Sequence, residues 1–226
     1  MMSADLFGYL IPSVFLLPLL AAALTLVVSR RPRIQNLITV ITLFALLVIS
    51  GLLLVLTDQH GMHTVQVGGW DAPVGITLAA DRLSALMLCV SAVVLLSVII
   101  YAVGQGVRDG DGDQPVSIFL PTYLALAAGL NGAFIAGDLF NLFVGFEILL
   151  AASYVLLTLG ASQERVRAGV SYTVVSMVSS MVFLLGIGLT YSAAGTLNLA
   201  QLATRMADVP DGLRNTIFAV FLVAFG

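Results

Sequence analysis

The sequence predicts an all-α membrane protein, built as a polytopic bundle of transmembrane helices. Of its 226 residues, 60% are hydrophobic and only 9% are charged, and the mean hydropathy is +1.09. A soluble domain carries about 25% charged residues, because these residues cover its surface in water. Several apolar segments also reach the roughly 20 residues that a helix needs to cross a bilayer. We therefore expect the chain to lie in lipid.

Six segments reach the length of a complete span: residues 6–28, 34–56, 83–103, 116–136, 139–159 and 168–191. A seventh apolar stretch begins near residue 216 and runs to residue 225, which is too short to cross a bilayer. This stretch is expected to be either re-entrant or a truncated seventh helix. The lack of a basic residue or cap after it favours the truncated helix.

The arginines predict the orientation of the chain, because cytoplasmic loops carry an excess of basic residues. Loops on one side hold six arginines and loops on the other side hold three. The first group is Arg30, Arg31, Arg33, Arg108, Arg165 and Arg167, and the second is Arg82, Arg205 and Arg214. We therefore expect a multi-pass protein of the cell (plasma) membrane with an extracytoplasmic N-terminus. Residues 6–28 lack the basic start of a signal peptide and are interpreted as the first span.

The outer loop at about 57–80 predicts a short extracytoplasmic β-hairpin. Residues 64–67 alternate between polar and apolar, Gly68 and Gly69 can form a turn, and residues 76–78 resume the alternation. Alternating segments on either side of glycines are typical of a hairpin.

The composition also excludes several kinds of function. A net charge of −3 without a basic cluster argues against nucleic-acid binding. The single cysteine, Cys89, excludes a disulfide framework. His60 and His63 share one polar loop and have no third ligand at a matching spacing, so no metal site is expected. We expect no cofactor and no soluble enzyme chemistry.

One inner loop resembles the opening of a calcium site. Residues 109–113 alternate Asp and Gly, but a twelve-residue calcium loop needs Gly at its sixth position and Glu at its twelfth. The sequence has Gln114 and Leu120 there. A flexible, solvated turn is the better interpretation.

Glu147 is the one acidic residue placed deep within a predicted span. It follows Asp138 by nine residues and precedes Leu159 by twelve, which puts it about 14 Å and 18 Å from the two ends, close to the midplane. An acidic group there costs about 2.5–3.5 kcal/mol on insertion scales and is expected to face the bundle interior or a water cavity. Burial disfavours the charged form of a carboxyl, and a nearby cation favours it. A buried glutamate beside a movable cation can therefore relay protons; the alternative is a purely structural hydrogen bond.

Helix six carries a stripe of small and polar residues that faces one side of the helix. Its members are Gly169, Thr173, Ser176 and Ser180, at spacings of four, three and four. The stripe favours close helix packing, and the alternative is that the hydroxyls of Thr173, Ser176 and Ser180 line a proton pathway to Glu147.

Two polar residues open helix five. Asp138 and Asn141 are interpreted first as helix-start residues favoured by the helix dipole. The alternative is that both residues line the mouth of the proton pathway. The phenylalanines Phe134, Phe140, Phe143 and Phe146 are expected to pack against lipid or core.

Residues 137–157 resemble a known family. Gly-Asp-Leu-Phe-Asn-Leu-Phe-Val-Gly-Phe-Glu-Ile-Leu-Leu-Ala-Ala-Ser-Tyr-Val-Leu-Leu is similar to the fifth helix of the antiporter-like membrane subunits. Respiratory complex I, membrane-bound hydrogenases and the multisubunit Mrp-type Na+/H+ antiporters share these subunits. The run Phe-Asn-Leu-Phe-Val and the trailing Ala-Ser-Tyr most resemble the D-type members found in the Mrp antiporters. Residues 76–84, Ile-Thr-Leu-Ala-Ala-Asp-Arg-Leu-Ser, also fit the family.

The resemblance implies a domain organisation. Residues 1–115 would form three leading transmembrane helices with the outer hairpin loop, and residues 116–226 would form part of the first antiporter repeat, helices four to seven. In the family the broken seventh helix carries a lysine that pairs with the helix-five glutamate. The present chain contains no lysine. Gly145 departs from the bulky residue expected there and predicts looser packing beside Glu147.

The resemblance also implies a function. The chain would be a proton-translocating membrane subunit of a multisubunit monovalent cation (Na+)/H+ antiporter, a secondary transporter subunit and not an enzyme, with Glu147 as the proton relay. Its partners would be the other membrane subunits, H+, a monovalent cation and the lipid bilayer. Two alternatives stay open: a proton-pumping subunit of a complex I-like or hydrogenase-like assembly, and a truncated, non-transporting fragment.

Overall fold

The computed structural model describes residues 2–105, 118–159 and 163–226, with side chains from residue 7 onward. The described helices are α1 (Met2–Val27), α2 (Pro32–His60), α3 (Arg82–Gly104), α4 (Phe119–Phe134), α5 (Leu139–Thr158), α6 (Gln163–Ala194), α7 (Leu199–Arg205) and α8 (Asp211–Phe225). Two short strands, β1 (His63–Gln66) and β2 (Thr77–Ala80), lie between α2 and α3. The Asp/Gly turn at 109–113 and the predicted domain boundary at 115/116 lie outside the described residues.

Five of the described helices are long and apolar enough to cross a membrane: α1, α2, α3, α5 and α6. The prediction of six complete spans differs from the structure at α4, which has 16 residues and is therefore about 24 Å long. Its predicted start at residue 116 lies outside the described part. At the other end the helix stops early because the chain leaves it to pair with β2. The Ala79 amide donates to the Ile135 carbonyl and the Gly137 amide to the Thr77 carbonyl, each at 2.8 Å.

The predicted hairpin is present. β1 and β2 pair antiparallel, with Val65 opposite Leu78. Gly68 and Gly69 both have positive φ, 71° and 73°, a conformation that glycine adopts without the steric cost of a side chain. The chain turns at the predicted position, although the connection between the strands, residues 67–76, is longer than a tight turn.

Buried polar side chains tie α4 to the leading helices. The Asn131 amide nitrogen donates to the Val14 carbonyl of α1 at 2.9 Å, and the Tyr123 hydroxyl donates to the Leu95 carbonyl of α3 at 2.9 Å. Apolar residues of α1 to α4, such as Ile11, Leu43, Leu88 and Leu124, fill the space around these bonds. The core of the described chain therefore lies among these four helices, and α4 forms the link to α5.

Two glycines set the crossing of α4 and α5. A Cβ on Gly129 would lie 2.6 Å from the Leu149 amide nitrogen, and a Cβ on Gly145 would lie 2.8 Å from the Ala133 amide nitrogen. Real Cβ atoms do not approach backbone this closely, so only glycine fits at either position. The expectation that Gly145 loosens the packing beside Glu147 is wrong, because this glycine permits the close approach of the two helices.

A short helix that the sequence pattern does not predict follows α6. α7 is N-capped by Asn198, whose side-chain oxygen accepts from the amides of Ala200 and Gln201 at 3.1 and 3.2 Å. α8 begins at Asp211, five residues before the predicted start, and packs against α6. Backbone pairing of residues 137–139 with residues 197–199 holds the N-terminal end of α5 beside the loop that follows α6.

Candidate functional site

Glu147 lies eight residues after the start of α5 and eleven before its end, about 12 Å and 16 Å along the helix axis. Its side chain is half-buried against α6. There its carboxylate oxygen Oε1 accepts a hydrogen bond from the Ser180 hydroxyl. The carboxyl therefore lies in the middle of the helix and has a polar partner on α6.

The antiparallel interface of α5 and α6 fixes what surrounds Glu147. Between Glu147 and the Arg165 end of this interface, the Ser153 and Tyr172 hydroxyls lie 2.8 Å apart. Closer to Arg165, Gly169 meets Thr158 so tightly that a Cβ on the glycine would overlap the Thr158 methyl carbon. The glycine of the predicted stripe thus packs the helices together, whereas the hydroxyls lie further along toward Glu147.

A pocket of about 220 Å³ opens beside Glu147 on this interface. Its lining combines the carboxyl with hydroxyl-bearing and apolar side chains: Glu147, Leu150, Ala151, Tyr154, Tyr172, Thr173, Ser176, Met177 and Ser180. The structure therefore brings together Glu147 and three residues predicted from the sequence, Thr173, Ser176 and Ser180. The Thr173 hydroxyl also donates to the Gly169 carbonyl of its own helix at 2.9 Å.

Asp138 and Asn141 do not line this pocket. Asp138 is buried and caps α5, since its Oδ1 accepts from the Asn141 amide at 2.7 Å. Its Oδ2 accepts from the Thr77 amide of β2 at 3.2 Å. Both carboxylate oxygens are thus engaged by backbone amides, as expected for a helix-start residue.

The Asp138 cap belongs to a buried polar junction that holds the start of α5 in place. The Asn198 amide nitrogen donates to the Thr77 hydroxyl at 3.1 Å, which in turn donates to the Gln66 side-chain oxygen at 2.9 Å. The Leu139 amide donates to the Leu197 carbonyl at 3.0 Å. The hairpin, the start of α5 and the loop after α6 are therefore one hydrogen-bonded unit.

Sequence reasoning misses two aromatic residues of the pocket. Tyr154 follows Glu147 by seven residues and so lies on the same face of α5, a spacing that could have identified it. Tyr172 could not be found this way, because its place depends on the register between α5 and α6.

On the other side of Glu147 lies an aromatic cluster formed by Phe143, Phe146, Phe183, Phe221 and Phe225. Phe183 of α6 is 5% exposed, and its ring centroid lies 5.0–6.1 Å from those of the four other phenylalanines. All of these pairs meet edge to face or nearly so, the geometry that aromatic rings favour. Phe143 and Phe146 therefore pack in the protein, as predicted. Within the described residues, no group of three or more His, Cys, Asp or Glu residues could hold a metal ion.

Comparisons with known proteins find similar membrane proteins. Residues 136–226 match the family described as "NADH:quinone oxidoreductase/Mrp antiporter, TM". The chain is also 42% identical over 213 residues to the protein named "Putative antiporter subunit mnhD2" of Staphylococcus haemolyticus. Residues 136–226 thus match the membrane domain of this family, and the chain as a whole is similar to antiporter-like membrane subunits.

Two solved structures share the fold. A chain in the structure of the Mrp complex from Dietzia sp. DQ12-45-1b superposes with a TM-score of 0.84 at 29% identity, over 97% of this chain and 40% of that chain. A chain of the membrane-bound sulfane sulfur reductase, an archaeal respiratory membrane complex, gives a TM-score of 0.84 at 27% identity, over 94% and 43%. The match to the Staphylococcus protein covers 93% of this chain and 42% of that relative. The chain thus spans less than half the length of these relatives, and it is a multi-pass membrane protein.

Proposed function

We propose that the chain is part of a proton-translocating subunit of a multisubunit monovalent cation (Na+)/H+ antiporter, and that Glu147 takes up and releases the transported proton. The observation that carries this proposal is the Ser180–Glu147 hydrogen bond in the middle of α5, beside a pocket lined by hydroxyls. The protein would act with other membrane subunits, H+ and a monovalent cation in the cell membrane. Its N-terminus would be extracytoplasmic.

The chemistry of the pocket supports a relay. An acidic residue in a membrane-spanning helix is costly and marks an ion or proton pathway by default. A hydroxyl can both donate and accept a hydrogen bond, so Thr173, Ser176 and Ser180 can hold water molecules in a chain. A pocket of about 220 Å³ has room for several waters. A proton can then reach the Glu147 carboxyl without crossing bare hydrocarbon.

The named relatives favour cation/proton exchange as the use of this relay. The Staphylococcus relative is named for an antiporter subunit, and the Dietzia structure is an Mrp complex. A second candidate is a proton-pumping subunit of a redox-driven membrane complex, because the archaeal respiratory complex superposes equally well, with a TM-score of 0.84. The relay at Glu147 would serve either assembly, since the driving reaction would lie in other subunits.

Glu147→Gln tests the proposal, in the complete subunit assembled with its partners. In everted membrane vesicles with a pre-formed pH gradient, addition of Na+ should dissipate the gradient when the wild-type protein is present. This Na+-driven dissipation should be lost in the Gln variant. Glu164→Gln is the matched control, because Glu164 is the only other glutamate of the chain and is exposed in the first turn of α6. Normal Na+-driven dissipation of the pH gradient in the assembled Glu147→Gln variant would contradict the proposal.

A further inference from the structure

The aromatic cluster closes the same groove that holds the Glu147 pocket. On α5, Phe143 precedes Glu147 by four residues, and Leu150, Ala151 and Tyr154 follow it on the same face. On α6, Phe183 follows Ser180 by three residues, while Ser176 and Thr173 precede it. Since the helices run antiparallel, the Phe143–Phe183 pair lies one turn beyond Glu147, toward the Asp138 end of α5. The pocket extends the other way, toward Arg165.

α8 completes the closure. Phe221 packs against Gly186 of α6, where a Cβ would lie 2.8 Å from the Phe221 ring. One turn later, Phe225 contacts both Phe183 and Phe146, at centroid distances of 5.0 and 5.9 Å. Three helices thus contribute rings to one contact centred on Phe183, beside the carboxyl.

The two sides of Glu147 therefore differ in whether they carry hydrogen-bonding groups that can conduct a proton. Toward Arg165 lie hydroxyls that can bind water. Toward Asp138 lies the buried Phe183, surrounded by four more phenyl rings, of which Phe225 at the edge of the cluster is 64% exposed. Phenyl rings have no hydrogen-bonding group, and closely packed apolar side chains such as Phe183 exclude water. A proton needs a continuous chain of hydrogen bonds to move, and an uncompensated charge in apolar surroundings is very costly.

We propose that the aromatic cluster is a dry seal, with Phe183 at its centre, that prevents Glu147 from exchanging protons with the Asp138 side of the membrane. Glu147 is then loaded only from the Arg165 side in this arrangement. The inference rests on the proposed function of Glu147. Phe183 is a positioning residue, because it controls access to the carboxyl without taking up a proton.

Proton leak through the assembled complex tests the seal. The complex with Phe183→Ala is placed in proteoliposomes with an imposed pH gradient and no exchangeable metal cation, and the decay of the gradient is followed with a pH-sensitive dye. We expect decay on the order of tenfold faster than with the wild type, which corresponds to a barrier lower by about 1.4 kcal/mol. The double variant Phe183→Ala with Glu147→Gln should return to the wild-type rate, because the leak passes through the carboxyl.

Phe221→Ala provides a milder opening of the same seal should Phe183→Ala fail to assemble, because Phe221 is only half-buried. The matched control is Phe218→Ala on the same helix, whose side chain is 69% exposed and which should not leak. If the pH gradient decays at the wild-type rate with an assembled Phe183→Ala or Phe221→Ala complex, the proposed seal is wrong. A leak that persists in the double variant would overturn it as well.

These outcomes are distinguishable from failure of the proposed function. If Glu147→Gln alone retains antiport, the relay itself is wrong. If Glu147→Gln loses antiport and Phe183→Ala does not leak, the relay stands and the seal is wrong.

Discussion

The Ser180 hydroxyl donates a hydrogen bond to the Glu147 carboxylate across the interface of α5 and α6. This contact joins Glu147, in the middle of α5, to the polar stripe of the neighbouring helix. It also lies at a boundary, with hydroxyls toward the Arg165 end of the groove and phenyl rings toward the Asp138 end.

Removing the hydroxyls nearest to Glu147 should slow proton transfer. In the double variant Ser176→Ala with Ser180→Ala, the Glu147 carboxyl loses a partner, and a hydrogen bond contributes about 0.5–1.5 kcal/mol net. We expect Na+-driven proton flux to fall by roughly tenfold, with normal assembly of the complex. Ser171→Ala is the control, because this exposed hydroxyl bonds to the Arg167 carbonyl of its own helix. An unchanged flux would mean that the stripe serves only to pack the helices.

A methyl group on Gly145 should destabilise the crossing of α4 and α5. The added Cβ would meet the Ala133 backbone at 2.8 Å, and overpacking of this kind costs about 1–3 kcal/mol. Thermal unfolding of the purified complex should therefore begin at a lower temperature for Gly145→Ala. Gly188→Ala on α6 should not lower it, since no atom lies within 4 Å of a Cβ at that position. Equal unfolding temperatures for the two variants would show that the helices do not approach as closely as described.

Asp138 offers a test between a structural role and a pathway role. Asp138→Ala removes a helix cap, which costs about 0.5–2 kcal/mol, and should lower the thermal stability of the complex. Asp138→Asn keeps an oxygen that can accept from the Asn141 or Thr77 amide, so we expect it to retain most of the stability and normal antiport. Asp208→Ala is the control because Asp208 is exposed. Loss of antiport in a stable Asp138→Asn variant would instead place Asp138 in the proton pathway.

Much of the fold can be predicted from the sequence, because membrane spans depend on local composition. The five long apolar helices and the hairpin follow from segment length and from alternation around Gly68 and Gly69. The predicted span extends beyond the end of α4 because hydropathy does not register the backbone pairing of residues 135–137 with β2. α7 escapes prediction because seven residues capped by Asn198 leave only a weak periodic signal.

The site can be predicted only in part. Glu147 can be identified from the free-energy cost of placing an acidic group within a membrane span. Ser180 can be identified because it lies on the polar stripe of helix six. The contacts between side chains of different helices depend on how the helices are aligned along their axes. Examples are the Ser180–Glu147 contact, the Tyr172–Ser153 contact and the packing of Phe183 against the rings of α8. Register is set by close contacts between helices, such as that of Gly145, whose partners cannot be identified within one helix. The expectation for Gly145 is wrong for this reason, because its partner Ala133 belongs to another helix.

The most direct test of the relay is the rate of Na+-driven proton flux when position 147 carries Glu, Asp or Gln in the fully assembled complex. Asp keeps a carboxyl but is shorter by one methylene, which withdraws it from Ser180. Gln keeps the length of the side chain but cannot release a proton at neutral pH. We expect full flux with Glu, reduced flux with Asp and none with Gln. Equal flux with Glu and Gln would contradict a proton relay at Glu147.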